Sequence, residues 1–235
     1  MIEEFLDYGG FRFGVVRSES IKQEIFKLRY KVYAEEFGFE KTSDYPDGLE
    51  KDIYDDWATH MACLNKSGQV GGTIRLVYDS PVGFPIEHAT GIPGIGKIPD
   101  RSKTAEISRL SVSKDLRRIK GDGKYGVYRY PNDQPVEMCG RKNPVVLLGL
   151  CVVMYQESKR QGITHWYIIT EEKLFRTLTN YGFLFRCIGE PVFYHGERTP
   201  YLSNIAEFEY YLKKNNPSVF KIFLDGLESK YHPIL

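Results

Sequence analysis

The sequence has no run of about 18 apolar residues, the length a helix needs to cross a bilayer, so no membrane span is expected. It also has no excess of charge of either sign: Lys and Arg number 32 against 31 Asp and Glu, a net charge of +1. Broad nucleic-acid binding is therefore not expected, and an electrostatic partner has to be met by a local patch. The four cysteines (Cys63, Cys139, Cys151 and Cys187) show no CxxC or other metal spacing. They read as reduced thiols of a cytoplasmic protein. The first residues, Met1-Ile-Glu-Glu-Phe-Leu-Asp, have neither the basic nor the apolar part of a signal peptide. No repeat, low-complexity tract, Ser-His-Asp pattern or nucleotide-binding loop stands out, and no permanently bound cofactor or metal is expected.

What is present is the composition of a globular chain, with 42% hydrophobic and 27% charged residues in 235. One α/β domain over residues 1–235 is the expectation. Phe11 to Val16 reads as a first strand. A helix with a Ser20–Gln23 capping box is expected to run to about Phe37 and stop at Gly38. Ala58–Leu64 and Val70–Tyr78 read as a hairpin, and the Gly- and Pro-rich stretch from Ser80 to about Pro99 as a loop. In the strand Ala105–Val112, Ile107, Arg109 and Ser111 are expected on one face and Glu106, Ser108 and Leu110 on the other. Residues 113–142 read as an insertion. A buried helix opens at Asn143-Pro144 and ends at Gly162. The expectation then runs through a strand at Trp166–Thr170, a helix from Glu171 to about Tyr181, strands at Phe183–Ile188 and Ala206–Leu212, and a closing helix at Ser218–Tyr231. This order predicts a mixed, twisted sheet with helices on its faces.

Four polar clusters exceed what composition gives. They are Arg29 with Tyr33 and Phe39 on and beyond the first helix, the acidic run Glu50 to Asp56, Arg75 inside the apolar strand Thr73–Val77, and Glu106-Ile-Ser-Arg109. A charge inside an apolar strand requires a partner or a wet cavity. Arg75 and Glu106 therefore read either as a structural ion pair or as parts of a site.

Arg29-x-x-x-Tyr33, Asp52-x-x-Asp55, Arg75 and Glu106-x-x-Arg109 together resemble the motif series of the acyl-homoserine lactone (autoinducer) synthases, relatives of the GNAT acyltransferases. Tyr33 and Phe39 stand where that family has Phe and Trp, and Leu110 where it has Phe. The segments RYKVYAEEFGFE, YPDGLEKDIYDDWATH, GGTIRLV, AEISRLSVSK and YHGERTPYL extend a closer resemblance, to the exosortase (PEP-CTERM) system-associated acyltransferases, over nearly the whole chain. That group is placed with the autoinducer synthases and the N-acyl amino acid synthases.

The resemblance implies a GNAT-like fold and an N-acyltransferase. Its donor is an acyl-phosphopantetheine thioester on acyl carrier protein or coenzyme A, and its acceptor a small amine or amino acid. Glu106 is then the candidate base, with a pKa expected to rise among apolar neighbours. Asp52 and Asp55 hold the acceptor's ammonium, and Arg75 and Arg109 fix carboxylates of the loop or acceptor, or the carrier's phosphate. Arg29, Tyr33, Phe39 and Thr170 complete the substrate-binding set, with the acyl chain among the 145–155 helix and the 166–170 strand. Residues 113–142 carry eight basic against four acidic residues. Arg117, Arg118, Lys120 and Lys124 are there the candidate docking residues for an acidic carrier protein. Arg118 to Gly123 also fits the R-x-x-G-x-G loop of GNAT enzymes, but the helix start that such a loop feeds is about twenty residues further on, so a chance match is favoured. His60 and His195 receive no role. A lactone synthase using S-adenosylmethionine and a non-catalytic carrier-binding protein are the competing readings.

Overall fold

The structure is a computed structural model, and it describes residues 2–95, 100–117, 137–138, 141–142 and 145–234. Its strands are β1 (Ile2–Tyr8), β2 (Phe11–Val16), β3 (Ala58–Leu64), β4 (Val70–Tyr78), β5 (Thr104–Val112), β6 (Glu137–Met138), β7 (Arg141–Lys142), β8 (His165–Thr170), β9 (Arg186–Cys187), β10 (Val192–Phe193) and β11 (Glu197–Asn204). Its α-helices are α1 (Glu19–Tyr30), α2 (Pro85–Thr90), α3 (Lys114–Arg117), α4 (Val145–Arg160), α5 (Glu172–Asn180), α6 (Ile205–Asn215) and α7 (Pro217–Leu224). None of the helices among the described residues is long and apolar enough to cross a membrane.

The chain divides into two compact units, neither of them one run of sequence. The first holds residues 1–52, 59–75 and 109–154, and the second holds 53–58, 76–108 and 155–235. Strands β4 and β5 contribute residues to both.

In the first unit the strands pair in the order β1-β2-β3-β4-β5. β2 lies antiparallel to β3 with Phe13 opposite Cys63. Helix α1 turns Ile25 and Phe26 inward to pack with Val16 and Ala62. Its cap is Ser18 rather than the expected Ser20, and Ser18 Oγ lies 2.8 Å from Ser20 Oγ. The helix widens into a π-helical turn at Lys31–Glu36 and stops before Gly38, which has a φ of +63°. Helix α4 packs on the strands at glycine. A Cβ on Gly149 would lie 2.4 Å from the Phe13 ring, and one on Gly72 would lie 3.0 Å from Val146 Cγ1. The start of the 113–142 insertion is seated on β4, where Ser113 N–H donates to Gly71 O at 2.8 Å.

In the second unit the order is β4-β5-β8-β11-β10, with β9 also on β11. β5 runs parallel to β8 from Thr104 opposite His165 to Glu106 opposite Tyr167. An aromatic core of Tyr155, Trp166, Phe183, Phe208 and Phe223 fills one side, and Trp166 Nε1–H donates to Ser158 Oγ at 2.9 Å. A smaller cluster joins Phe84, Ile86, Ile95, Tyr167 and Leu202.

The expected mixed sheet with helices is present, with nine strands among the described residues. Several elements differ from expectation. Residues 206–212 are helical, not a strand: Asn204 Oδ1 accepts from Ala206 N–H and Glu207 N–H, and Phe208 and Leu212, one turn apart, face the core. The strand lies just before it, at Glu197–Asn204, where Pro200 obscures it in the sequence. Pro200 has no N–H to give, but its carbonyl accepts from Ile188 N–H at 3.1 Å. The 183–188 strand shrinks to Arg186–Cys187, the closing helix ends at Leu224, β1 precedes the first expected strand, and α2 lies inside the expected 80–99 loop. The Asn143-Pro144 helix start falls outside the described residues.

Candidate active site

Helix α1 buries an arginine. Arg29 shares the inward face with Ile25, Phe26 and Leu28 and is 0% exposed, with its guanidinium carbon 5.2 Å above the Phe26 ring. A cation so placed requires a carboxylate, and Glu50, also 0% exposed, accepts from Arg29 Nε. Glu50 is held there by its own backbone, whose N–H donates to Phe26 O at 3.2 Å.

From Glu50 the chain of ion pairs continues. Arg109 Nε donates to Glu50 Oε1 at 3.1 Å, and Arg109 Nη2 lies 3.1 Å from Asp52 Oδ2 and 3.4 Å from Glu40 Oε1. Arg75 projects from β4, nearly fully buried, and grips both oxygens of Asp52 as a fork, at 2.6 and 3.0 Å. Three guanidiniums and three carboxylates thus meet, with Arg109 touching all three carboxylates.

One side of the cluster is aromatic. The Arg109 guanidinium carbon sits 5.5 Å from the Tyr33 ring centroid, and Tyr33 Oη–H donates to Leu110 O at 2.9 Å. Burial raises the Tyr33 phenol's pKa, so it stays a neutral donor. Phe39 follows at 6.3 Å from Tyr33, and Phe37 stacks on Phe39 at 5.2 Å. The π-helical turn makes this row. Its wider winding leaves Tyr33 O to accept from both Phe39 N–H and Glu40 N–H, at 2.7 and 3.2 Å.

Arg109 does not follow the strand alternation expected from the sequence. Its φ is +50°, a left-handed conformation that costs a non-glycine residue about 1–2 kcal/mol. The break turns its side chain toward Glu40, Glu50 and Asp52. This separates two roles by substitution. Arg109→Gly and Arg109→Ala both remove the guanidinium, but only Gly accepts the backbone without strain. Urea denaturation should find the Ala variant less stable than the Gly variant by about 1–2 kcal/mol, and equal stabilities would remove the strain argument.

The structure therefore brings Arg29, Tyr33, Phe39, Asp52, Arg75 and Arg109 together in the first unit. It adds Glu50 and Glu40, to which the sequence reading assigned no role. The signal for Glu50 was available, since several arginines among apolar residues need more than one carboxylate. Asp52 faces two guanidiniums, which suits it to holding the arginines.

Glu106, Asp55 and Thr170 belong to the second unit. Glu106 is 0% exposed on β5, three positions before Arg109, and its Oε2 accepts from Ile86 N–H at 2.8 Å. Asp55 opens the short turn Asp55–Trp57, and Thr170 is buried at the end of β8. Of the two readings left open for Arg75, a carboxylate partner is found in Asp52. Of the docking candidates, Arg118, Lys120, Lys124 and the Arg117 side chain fall outside the described residues, as does the Arg118–Gly123 loop. Burial pushes the thiols of Cys63 and Cys151 up to about 12, so neither is a ready nucleophile.

Residues 28–122 match the family model described as an acetyltransferase (GNAT) domain, and they include every member of the arginine–carboxylate chain. The fold is that of the GNAT acyltransferases. Among solved structures, BjaI, a CoA-dependent acyl-homoserine lactone synthase seen with SAM and isopentyl-CoA, superposes with a TM-score of 0.60 at 21% identity, over 89% of this chain and 82% of that one. TofI, in a ternary complex with an inhibitor and MTA, gives 0.59 at 16% identity, over 89% and 98%. FeeM, an N-acyl amino acid synthase from uncultured soil microbes, gives 0.57 at 14%, over 86% and 94%. No curated protein matches by sequence. Residues 28–122 therefore resemble a GNAT domain, and the fold is one that acyl-homoserine lactone and N-acyl amino acid synthases share.

Proposed function

We propose that the protein is an N-acyltransferase that moves a fatty acyl group from a phosphopantetheine thioester to the amine of a small molecule or amino acid. The observation that carries this reading is the chain of ion pairs Arg29–Glu50–Arg109–Asp52–Arg75, assembled within the GNAT-matching residues from a helix, a loop and two strands. A buried array of this cost is weak support for stability as such, so its use is sought in positioning.

The neutral amine attacks the thioester carbonyl carbon. The acceptor's ammonium first gives one proton to Glu106, directly or through water; on attack the C–N bond forms, the C–S bond breaks, and the nitrogen's surplus proton passes to the departing sulfur, which leaves as thiol. Asp55 holds the acceptor's ammonium before attack. Asp52 holds Arg75 and Arg109, whose guanidinium N–H edges meet the carboxylate of an amino-acid acceptor or the donor's phosphate. Tyr33 and Phe39 supply an aromatic wall, and Thr170 a hydroxyl. The donor is acyl carrier protein or coenzyme A, with the basic 113–142 segment as the carrier's dock, and the setting is the cytoplasm, where such thioesters are made. The resemblance to the exosortase-associated acyltransferases supports the acyltransferase reading.

The competing lactone synthase reading has the fold it shares with BjaI in its favour. One assay separates them. The purified protein is given octanoyl-CoA or octanoyl-acyl carrier protein with an equimolar mixture of common amino acids and S-adenosylmethionine, and products are read by mass spectrometry. An N-acyl amino acid with matching thiol release supports the proposal. An acyl-homoserine lactone moves the protein to the autoinducer reading, and thiol release no faster than without protein overturns both.

A further inference from the structure

The second unit holds another carboxylate that is buried and densely hydrogen-bonded yet lies outside the arginine chain. Glu87, on α2, is 8% exposed. Its Oε2 accepts from Phe84 N–H at 3.0 Å and its Oε1 from Gly94 N–H at 2.5 Å. Arg101 forks onto the same carboxylate, with Nη1 at 2.5 Å and Nη2 at 3.1 Å. Arg101 also donates Nε to Asp79 Oδ1 at 3.1 Å and lies 4.9 Å above the Phe84 ring. Gly83, with a φ of +70°, lets the backbone approach, since a Cβ there would be 2.8 Å from Glu87 Oε2. Burial raises the Glu87 pKa, but the bonds from Arg101, Phe84 and Gly94 outweigh it and hold the carboxyl below the usual range. Arg101 is correspondingly held in its charged form.

The clamp therefore ties Asp79, Phe84, Gly94 and Arg101 to one point, and the segment it closes presents Ile86 N–H to β5, 2.8 Å from Glu106 Oε2. Phe84 and Ile86 are anchored on either side of Glu87's first turn by packing with Ile95, Tyr167 and Leu202.

We propose that Glu87 and Arg101 are positioning residues for Glu106, acting through the Ile86 amide. This inference rests on the reading of Glu106 as the base. A fixed N–H on one carboxylate oxygen sets the plane of the group and favours its ionised, proton-accepting form. The clamp removes the freedom of the 79–101 segment that would otherwise let that donor drift.

The test compares Glu87→Gln, Arg101→Gln and Arg101→Lys with the parent protein and with Glu106→Gln. Two quantities are measured: hydrogen exchange of the Ile86 amide in the protein alone, and the pH profile of kcat/KM for thiol release from octanoyl-CoA with the amino-acid mixture. Both Gln variants should speed Ile86 exchange by about tenfold or more, the loss of one hydrogen bond to a charged group. They should also move the acid limb of kcat/KM to higher pH by about one unit. Arg101→Lys, which keeps the charge, should restore part of both. Arg101→Gln leaves Glu87 its two backbone donors, so it serves if Glu87→Gln does not fold. Unchanged Ile86 exchange overturns the clamp, and faster exchange with an unmoved acid limb makes it structural and overturns the positioning role. If Glu106→Gln keeps full turnover, the base reading itself has failed, which a failed clamp with inactive Glu106→Gln does not imply.

Discussion

Glu106→Gln is expected to lower kcat/KM by about 10²–10⁴-fold, the usual loss on removing a general base, while the protein melts near its parent temperature. Gln keeps the volume, and its carbonyl oxygen can accept from Ile86 N–H as Oε2 does at 2.8 Å. What Gln lacks is the capacity to take the amine's proton. The alternative, that Glu106 is there to neutralise a buried arginine, predicts the opposite pattern, in which melting falls and activity follows the folded fraction. Arg75 was the arginine in question, and both of its terminal nitrogens are held by Asp52. Turnover within a few-fold of the parent, or a large fall in melting temperature with proportionate activity, would sink the base assignment. The acid limb of kcat/KM should also disappear in this variant if Glu106 is the group whose protonation it reports.

Glu50→Gln should give the reverse result. Glu50 lies fully buried between Arg29 and Arg109, so removing its charge leaves two guanidiniums facing an amide. Breaking a buried pair from one side costs about 3–5 kcal/mol. For a chain of this size that is a fall in melting temperature of roughly 6–20 °C. Glu40 is the internal control. It meets the same Arg109 at 3.4 Å from the rim of the cluster, 18% exposed. Glu40→Gln should cost clearly less than Glu50→Gln, because the Glu40 carboxylate keeps part of its hydration and Arg109 keeps Glu50 and Asp52. Calorimetry on the two variants decides, and equal small shifts would mean that Glu50 does not hold the cluster together.

The sequence was most legible where one local rule acted unopposed. The β3–β4 hairpin, α4 and the stops at Gly38, Gly162 and Gly182 follow directly from alternation, apolar runs and positive-φ glycines. It misled where two rules competed. Ala206–Leu212 has the aromatic content of a strand, yet the Asn204 cap and the Phe208–Leu212 spacing win as a helix. Pro200 argued against a strand in which its carbonyl alone is needed. Within the candidate site, Arg75 was readable because a charge inside an apolar strand stands out, whereas Arg29 and Asp52 were legible only through the resemblance to the autoinducer synthases. The left-handed turn at Arg109 was not legible, because no glycine marks it, and Glu50 and Glu87 each look like members of ordinary polar loops until the burial of their partners is known.

The glycines where α4 meets the strands have a consequence for anyone scanning this chain by mutation. At Gly9 and Gly149 the neighbouring Val145 and Phe13 already occupy the space that any side chain would need, and at Gly72 a Cβ would press on Val146 at 3.0 Å. Gly149→Ala would put a methyl group 2.4–2.6 Å from three atoms of the Phe13 ring. A library scored for activity will therefore show a band of intolerance at these three positions as severe as that at Glu106. The band will mark where a helix meets strands and not where chemistry happens. Scoring the same library for soluble yield separates the two. Variants at 9, 72 and 149 drop out of both screens, and a variant such as Glu106→Gln drops out of the activity screen alone.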